Sequence, residues 1–269
     1  MRPRDGRRGV AIALVSTALV FAAIGFAIAK SPGWPELHRQ FFNGDRFTSD
    51  FPGIADAFLM NVKMFAIAEA VILPLALVLA VLRGLPGPVF FPVRALSIVY
   101  VDVFRGIPTI LLVLLLGFGA PSLELSWLPS SEFFWATTAL VLIYTAYVSE
   151  VYRAGIESVH PSQEAAARSL GLTRLQGLRY VIVPQAVRRV IPPLLNDFIG
   201  LQKDTALVSV LGVIDALQQA NIDSNATFNF TPYCAAAVLF VAITIPLTRL
   251  TDWLVNRERG RRQSAGVLA

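Results

Sequence analysis

The chain has 269 residues, 55% of them hydrophobic and only 15% charged, with a net charge of +5. Its single cysteine, Cys234, excludes a disulfide framework within the chain, and its two distant histidines, His38 and His160, show no metal-ligand spacing, so redox and metal chemistry drop out. The apolar residues come in long blocks rather than in the short amphipathic pieces of a soluble core, which points to a membrane.

Residues 1–9 are basic, and 10–29 then run without a charge. At ~1.5 Å per residue such a helix is roughly 30 Å long, the thickness of bilayer hydrocarbon. A basic start, an apolar run and the triplet Ala27-Ile28-Ala29 also suit a cleaved secretory signal. The run is longer than the ~7 to 15 residues of a signal core, which favours a retained anchor. Residues 30–56, with Trp34 and Phe41-Phe42, read as an external loop lying partly on the membrane interface. Further spans are expected at 57–82, 98–119, 133–152, 186–210 and 232–254, the fifth of the six being the least apolar, with a basic tail at 255–269. "RGLPGP" at 83–88 breaks the chain on one side, and "SSEFFW" at 130–135 enters the fourth span on the other.

The positive charges set the orientation. Four Arg precede Val10, Arg83 and Arg94 follow the second span, six Arg lie between Arg153 and Arg189, and five run from Arg249 onward. Only Lys30, Arg39 and Arg46 fall on the opposite side. This is the positive-inside pattern, and it predicts cytoplasmic N- and C-termini. The net charge therefore reflects topology and gives no reason to expect nucleic acid as a partner.

The cytoplasmic segment at about 153–184 is unlike the rest of the chain. Ser162 is expected to cap a helix, with Glu164 beside its positive end. Ala165, Ala166, Ala167 and Leu170 favour helix, and Gly171 can end it in the left-handed conformation. Thr173 with Gln176 forms a capping-box pattern for a second short helix, expected to end at Pro184. The small alanine face would let another protein's backbone approach closely, while the arginines equally suit a helix resting on lipid headgroups. The local chemistry leaves both open.

Ionisable groups in hydrocarbon cost at least ~2.5 kcal/mol on insertion scales, so those present need partners or water. Glu69 and Arg105 are expected near mid-depth, with Asp102 three residues from Arg105 on the same helix face. Arg105 with Glu69 or Asp102 could hold the carboxylate and ammonium of a zwitterion, or could simply pair to order the spans. The fifth span carries Pro192-Pro193, Asn196, Asp197, Lys203 and Asp204. Prolines free carbonyls that lipid cannot satisfy, so this helix should line a pathway, with Asn196 facing it and Lys203 reaching outward.

"EVYRAGIESV" at 150–159, "FRGIPTILL" at 104–112 and "PQAVRRVIPPLLNDFIGLQKDTALVSVLG" at 184–212 resemble the permease subunit of bacterial ATP-binding-cassette (ABC) importers, in the branch that carries polar amino acids. That family's cytoplasmic loop reads EAA, three residues, G, nine residues, I, any residue, L, P. Gly171, Val181, Val183 and Pro184 fall in its register. Ala165 stands where the family has Glu, and Glu164 is one position early, a rotation of about 100° on a helix. Ser162 stands where the family has Gly.

The resemblance implies an all-α, polytopic membrane bundle of the type I importer permease fold with about six spans, the first outside a five-helix core. It implies a multi-pass protein of the bacterial cytoplasmic membrane, with no catalysis of its own. The implied partners are a cytoplasmic ATPase that carries the ATP and Mg, a second permease copy or homologue, and an extracytoplasmic amino-acid-binding protein. The ATPase would dock on Ser162, Gln163, Glu164, Ala165, Ala166, Ala167, Leu170 and Gly171. Consistent with a separate ATPase, "GFAIAKS" at 25–31 lacks the second glycine that a phosphate loop places directly before its lysine. A proton-coupled transporter using Glu69 as a relay is the competing class, and it leaves the cytoplasmic loop without a role.

Overall fold

The computed structural model describes residues 3–266, with side-chain surroundings for 9–257 other than Arg174; the outermost parts of the expected 1–9 and 255–269 segments lie outside the described residues. Regular structure among the described residues is entirely helical. Helix α1 (Pro3–Ala29) is exposed along its whole apolar stretch, and no other described residue covers it. The expected external loop is largely helix. It forms α2 (Trp34–Phe41) and the first turns of α3 (Gly44–Arg83), which the Asn43 side chain caps by accepting from the Arg46 N–H. At ~1.5 Å per residue α3 is about 60 Å long and overreaches a bilayer.

Helix α6 (Glu132–Glu157) is the centre of the bundle. Ala136, Ala139, Leu140 and Ile143 are fully buried on it, and they pack with Met64, Ala68, Ile72 and Ala76 of α3, which recur every fourth residue. Lipid tails are as apolar as these side chains, so close van der Waals packing across small residues holds the two helices together. Gly155 does the same on the other side of α6: a Cβ there would run into Cγ2 of Val190 on α9 (Val183–Asp204).

Two expected spans differ from a straight helix. The stretch 98–119 is divided between α4 (Phe91–Gly106) and α5 (Thr109–Gly119), which are bent by 102°. The cause is local. Ile107 precedes Pro108, is held extended (φ −88°, ψ 130°), and is followed by a residue with no N–H to continue the ladder. The stretch 186–210 passes through Pro192 and Pro193 without breaking. It tightens into a 3-10 turn at Thr205–Leu211, then turns at left-handed Gly212 into α10 (Ala216–Thr227). Helix α11 (Thr231–Gly266) contains the last expected span. Among the described residues four helices are long and apolar enough to cross a membrane, or up to six if each bent pair is one span.

A buried polar knot fixes α10. Asn61, 2% exposed, donates to Asp215 Oδ2 (2.9 Å) and Thr205 Oγ1 (3.2 Å) and accepts from the Ala216 N–H (3.1 Å). Asp215 in turn caps the helix by accepting from the Gln218 N–H at 2.8 Å.

Candidate functional site: a cytoplasmic elbow and an intramembrane cleft

The elbow begins with α7 (Pro161–Ser169). Its cap is His160, not the expected Ser162: His160 Nδ1 accepts from the Ser162 N–H at 3.2 Å. Pro161 decides this, because its fixed φ suits the first helical position and holds His160 extended ahead of it. Ser162 sits inside the first turn, its Oγ 2.8 Å from His160 Nδ1. Gly171 is left-handed as expected (φ 80°), and the end of α7 satisfies two of its free carbonyls. The Leu172 N–H donates to the Ala167 carbonyl (3.1 Å) and the Gly171 N–H to the Arg168 carbonyl (2.9 Å), a Schellman ending.

The capping box then forms as read: the Thr173 N–H donates to Gln176 Oε1 (2.9 Å) and the Gln176 N–H to Thr173 Oγ1 (3.3 Å). The helix it opens, α8 (Arg174–Gly177), does not end at Pro184. It widens into a π turn at Leu178–Ile182 and runs directly into α9, the wider turn carrying the chain past a residue without an N–H.

The expected docking residues divide by burial. Ser162, Gln163, Ala165, Ala166 and Leu170 are exposed, Leu170 by 82%. Ala167 is only 3% exposed and turned toward Gly177 of α8, so it packs the elbow internally. Glu164 is half-buried and ion-paired with Arg168 one turn on. Gln163 Oε1 accepts from Gln185 Nε2 at 3.1 Å, which ties α7 to the first turn of α9.

The second feature is a cleft of ≈ 370 Å³ where the end of α4 meets α6 and α9, lined among others by Arg105, Tyr147, Glu150, Arg189, Pro193 and Asp197. Glu150 is its organiser. The carboxylate, 17% exposed, is ion-paired with Arg83 at the end of α3, with Arg153 Nη2 at 2.7 Å, and at the outer limit with Arg105 Nη1 at 4.0 Å. The Arg105 guanidinium also lies 5.5 Å from the centre of the Tyr147 ring. Arg189 donates to the Ser158 carbonyl.

Among the described residues Arg105 has no carboxylate within 4.0 Å except Glu150, so the expected pairing with Asp102 or Glu69 is not made. At the end of α4, Arg105 reaches the same carboxylate as Arg83, the last residue of α3. Asp102, Asn196 and Lys203 are exposed and do not line this cleft, whereas Asp197, expected on the pathway together with Asn196, does. Glu69 is 8% exposed and its Oε1 has no hydrogen-bond partner; Asp197 Oδ2 has none either. Glu150, Tyr147 and Arg189 were not among the expected pathway residues. The signal for Glu150 lay in "EVYRAGIESV", where Arg153 follows it by one helical turn.

Residues 72–260 match the family described as binding-protein-dependent transport system inner membrane component. The chain belongs to this family. Among its relatives, the probable glutamine ABC transporter permease protein GlnM of Bacillus subtilis (strain 168) is 35% identical over 210 residues, covering 77% of this chain and 94% of the relative. The arginine transport system permease protein ArtQ of the same organism is 30% identical, covering 73% of this chain and 88% of the relative. A solved structure of an amino acid ABC transporter with histidines has a TM-score of 0.69 at 32% identity, covering 77% of this chain and 94% of that one. The inward-facing MetNI methionine ABC transporter, at 20% identity and a TM-score of 0.54 over 77% of this chain and 94% of that one, shares the fold. This permease is thus a membrane-spanning subunit of an ABC importer, with ATPase activity on a separate subunit, and the family favours that reading over a proton-coupled transporter.

Proposed function

We propose that the permease carries polar amino acids inward through a path that includes the cleft at Arg105 and Asp197. The exposed side of α7, at Ser162, Gln163, Glu164, Ala165, Ala166 and Leu170, is the surface on which a cytoplasmic ATPase docks. Ala167 packs the elbow from within, and Gly171 sets its angle through its left-handed backbone. A second permease copy or homologue completes the membrane unit, an extracytoplasmic binding protein delivers the amino acid, and both termini face the cytoplasm. ATP and Mg stay on the ATPase.

The observation that carries this reading is mechanical continuity. The exposed elbow passes without a break into α9, and the Gln163–Gln185 hydrogen bond closes the same connection from the side. Arg189, Pro193 and Asp197, all on α9, form one wall of the cleft. A movement imposed on α7 would therefore reach that wall directly. Relatives named for glutamine, arginine and glutamate support the amino-acid class.

Gly171→Val tests the docking surface. Its φ of 80° is disfavoured for any β-branched residue, so the elbow angle should change while the spans insert normally. Reduced co-purification of the ATPase together with loss of ATP-driven uptake is expected. Wild-type values of both would remove α7 as the docking surface.

A further inference from the structure

The first turn of α7 is held by a single side-chain cap. His160 Nδ1 accepts from the Ser162 N–H at 3.2 Å, and Ser162 Oγ lies 2.8 Å from the same nitrogen. A backbone N–H can only donate, so Nδ1 is the unprotonated nitrogen and the imidazole is neutral. Gln163 stands where the second partner of a capping box would reach back, but it is committed elsewhere, its Oε1 accepting from Gln185 Nε2 of α9. The turn therefore depends on the His160 lone pair. Pro161 makes it so, because a cap at Ser162 would have used a hydroxyl, which does not titrate.

Histidine is the side chain whose charge changes between about pH 5 and 8. An imidazolium has two N–H groups and no acceptor, so protonation sets an N–H against the Ser162 N–H. It also places a positive charge at the positive end of the helix. His160 is exposed, so protons from the surrounding water reach it. The charged groups that flank it are Glu157, paired with Arg153 on α6, Arg189 of α9, which donates to the Ser158 carbonyl, and Glu164, paired with Arg168 on α7 itself. Among the described residues no carboxylate comes within 4.0 Å of the His160 ring to hold an imidazolium in place.

We propose that His160 is a pH-sensitive latch on the docking helix: the neutral imidazole keeps the first turn of α7 in shape for the ATPase, and a proton from the cytoplasm releases it and slows import. This rests on α7 being the docking surface. The cap is complete while the imidazole is neutral and is lost as the pH falls. The released turn carries Gln163, so the tie to Gln185 loosens with it, and the elbow's grip on α9 weakens.

The test is hydrogen exchange at α7 in the full-length permease in lipid nanodiscs, at about pH 7.5 and about pH 6, with the intrinsic pH dependence of exchange divided out. Protection of α7 should fall about three- to tenfold in the wild type, as expected for loss of a cap, and stay level in His160→Asn, whose amide oxygen caps without titrating. In proteoliposomes that also hold the ATPase and the binding protein, the pH is then lowered on the ATPase side alone. ATP-driven uptake should fall several-fold further in the wild type than in His160→Asn, the ATPase's own response to pH being common to both. Unchanged wild-type protection, or an equal fall in His160→Asn, overturns the latch and leaves the docking surface standing. A fall in protection without any loss of ATPase binding overturns the docking surface, and the latch's control of import with it. The wild-type exchange comparison decides the matter even if His160→Asn does not fold.

Discussion

The elbow leads into the start of α9 and the cleft is walled by its middle, and the two are built on opposite plans. In the elbow almost every polar contact spans five residues or fewer: His160 to Ser162, Gly171 to Arg168, Leu172 to Ala167, Thr173 to Gln176. In the cleft the contacts join distant helices, Arg83 and Arg105 to Glu150 and Arg189 to Ser158. A local unit keeps its shape when moved as a body, which suits a part that receives a push. A unit assembled from separate helices changes shape when they shift, which suits a part that opens and closes.

This contrast is broken most severely at Glu150. Glu150→Gln strands Arg83, whose side chain is only 15% exposed, without its anion. Breaking such a pair costs about 3–5 kcal/mol, so a large fall in the thermal unfolding temperature of the purified permease is expected. An unchanged unfolding temperature would mean that the ion cluster does not hold α3 to α6. A smaller loss is expected from Gly155→Val, where the added side chain meets Val190 and forces α6 from α9. Overpacking of this kind costs about 1–3 kcal/mol. It should lower stability and also weaken ATP-driven amino-acid uptake, because the same two helices wall the cleft.

The smallest effect is expected in the elbow. Thr173→Ala removes one half of the capping box, about 0.5–2 kcal/mol of local helix stability. Hydrogen exchange should quicken at α8 and leave the cleft residues unaffected. Faster exchange spreading to α6 would show that the two regions are not the separate units described here.

The sequence by itself determined the features whose cause lies within a few residues or in the bilayer's thickness. Apolar runs of bilayer length had to be spans, Gly171 had to be the left-handed hinge, and Thr173 and Gln176 had to find each other, since a capping box closes over three residues. Even here neighbours compete: Pro161 moved the cap from Ser162 to His160, and the π turn carried the helix past Pro184.

Only the tertiary structure decided who meets Arg105. Hydropathy sums apolar character along the chain and carries no direction, so the stretch 98–119 read as one straight span although it turns by 102° at Ile107-Pro108. Arg105, at the end of α4 just before that turn, meets Glu150 of α6, a partner 45 residues away that no local pattern pointed to. Likewise Asn196 and Asp197 are adjacent in sequence, and a helix separates their side chains by about 100° around its axis, so that Asp197 faces the cleft and Asn196 does not. Electrostatic pairing between helices depends on positions in space that are fixed only when the small residues of α3, α6 and α9 have packed.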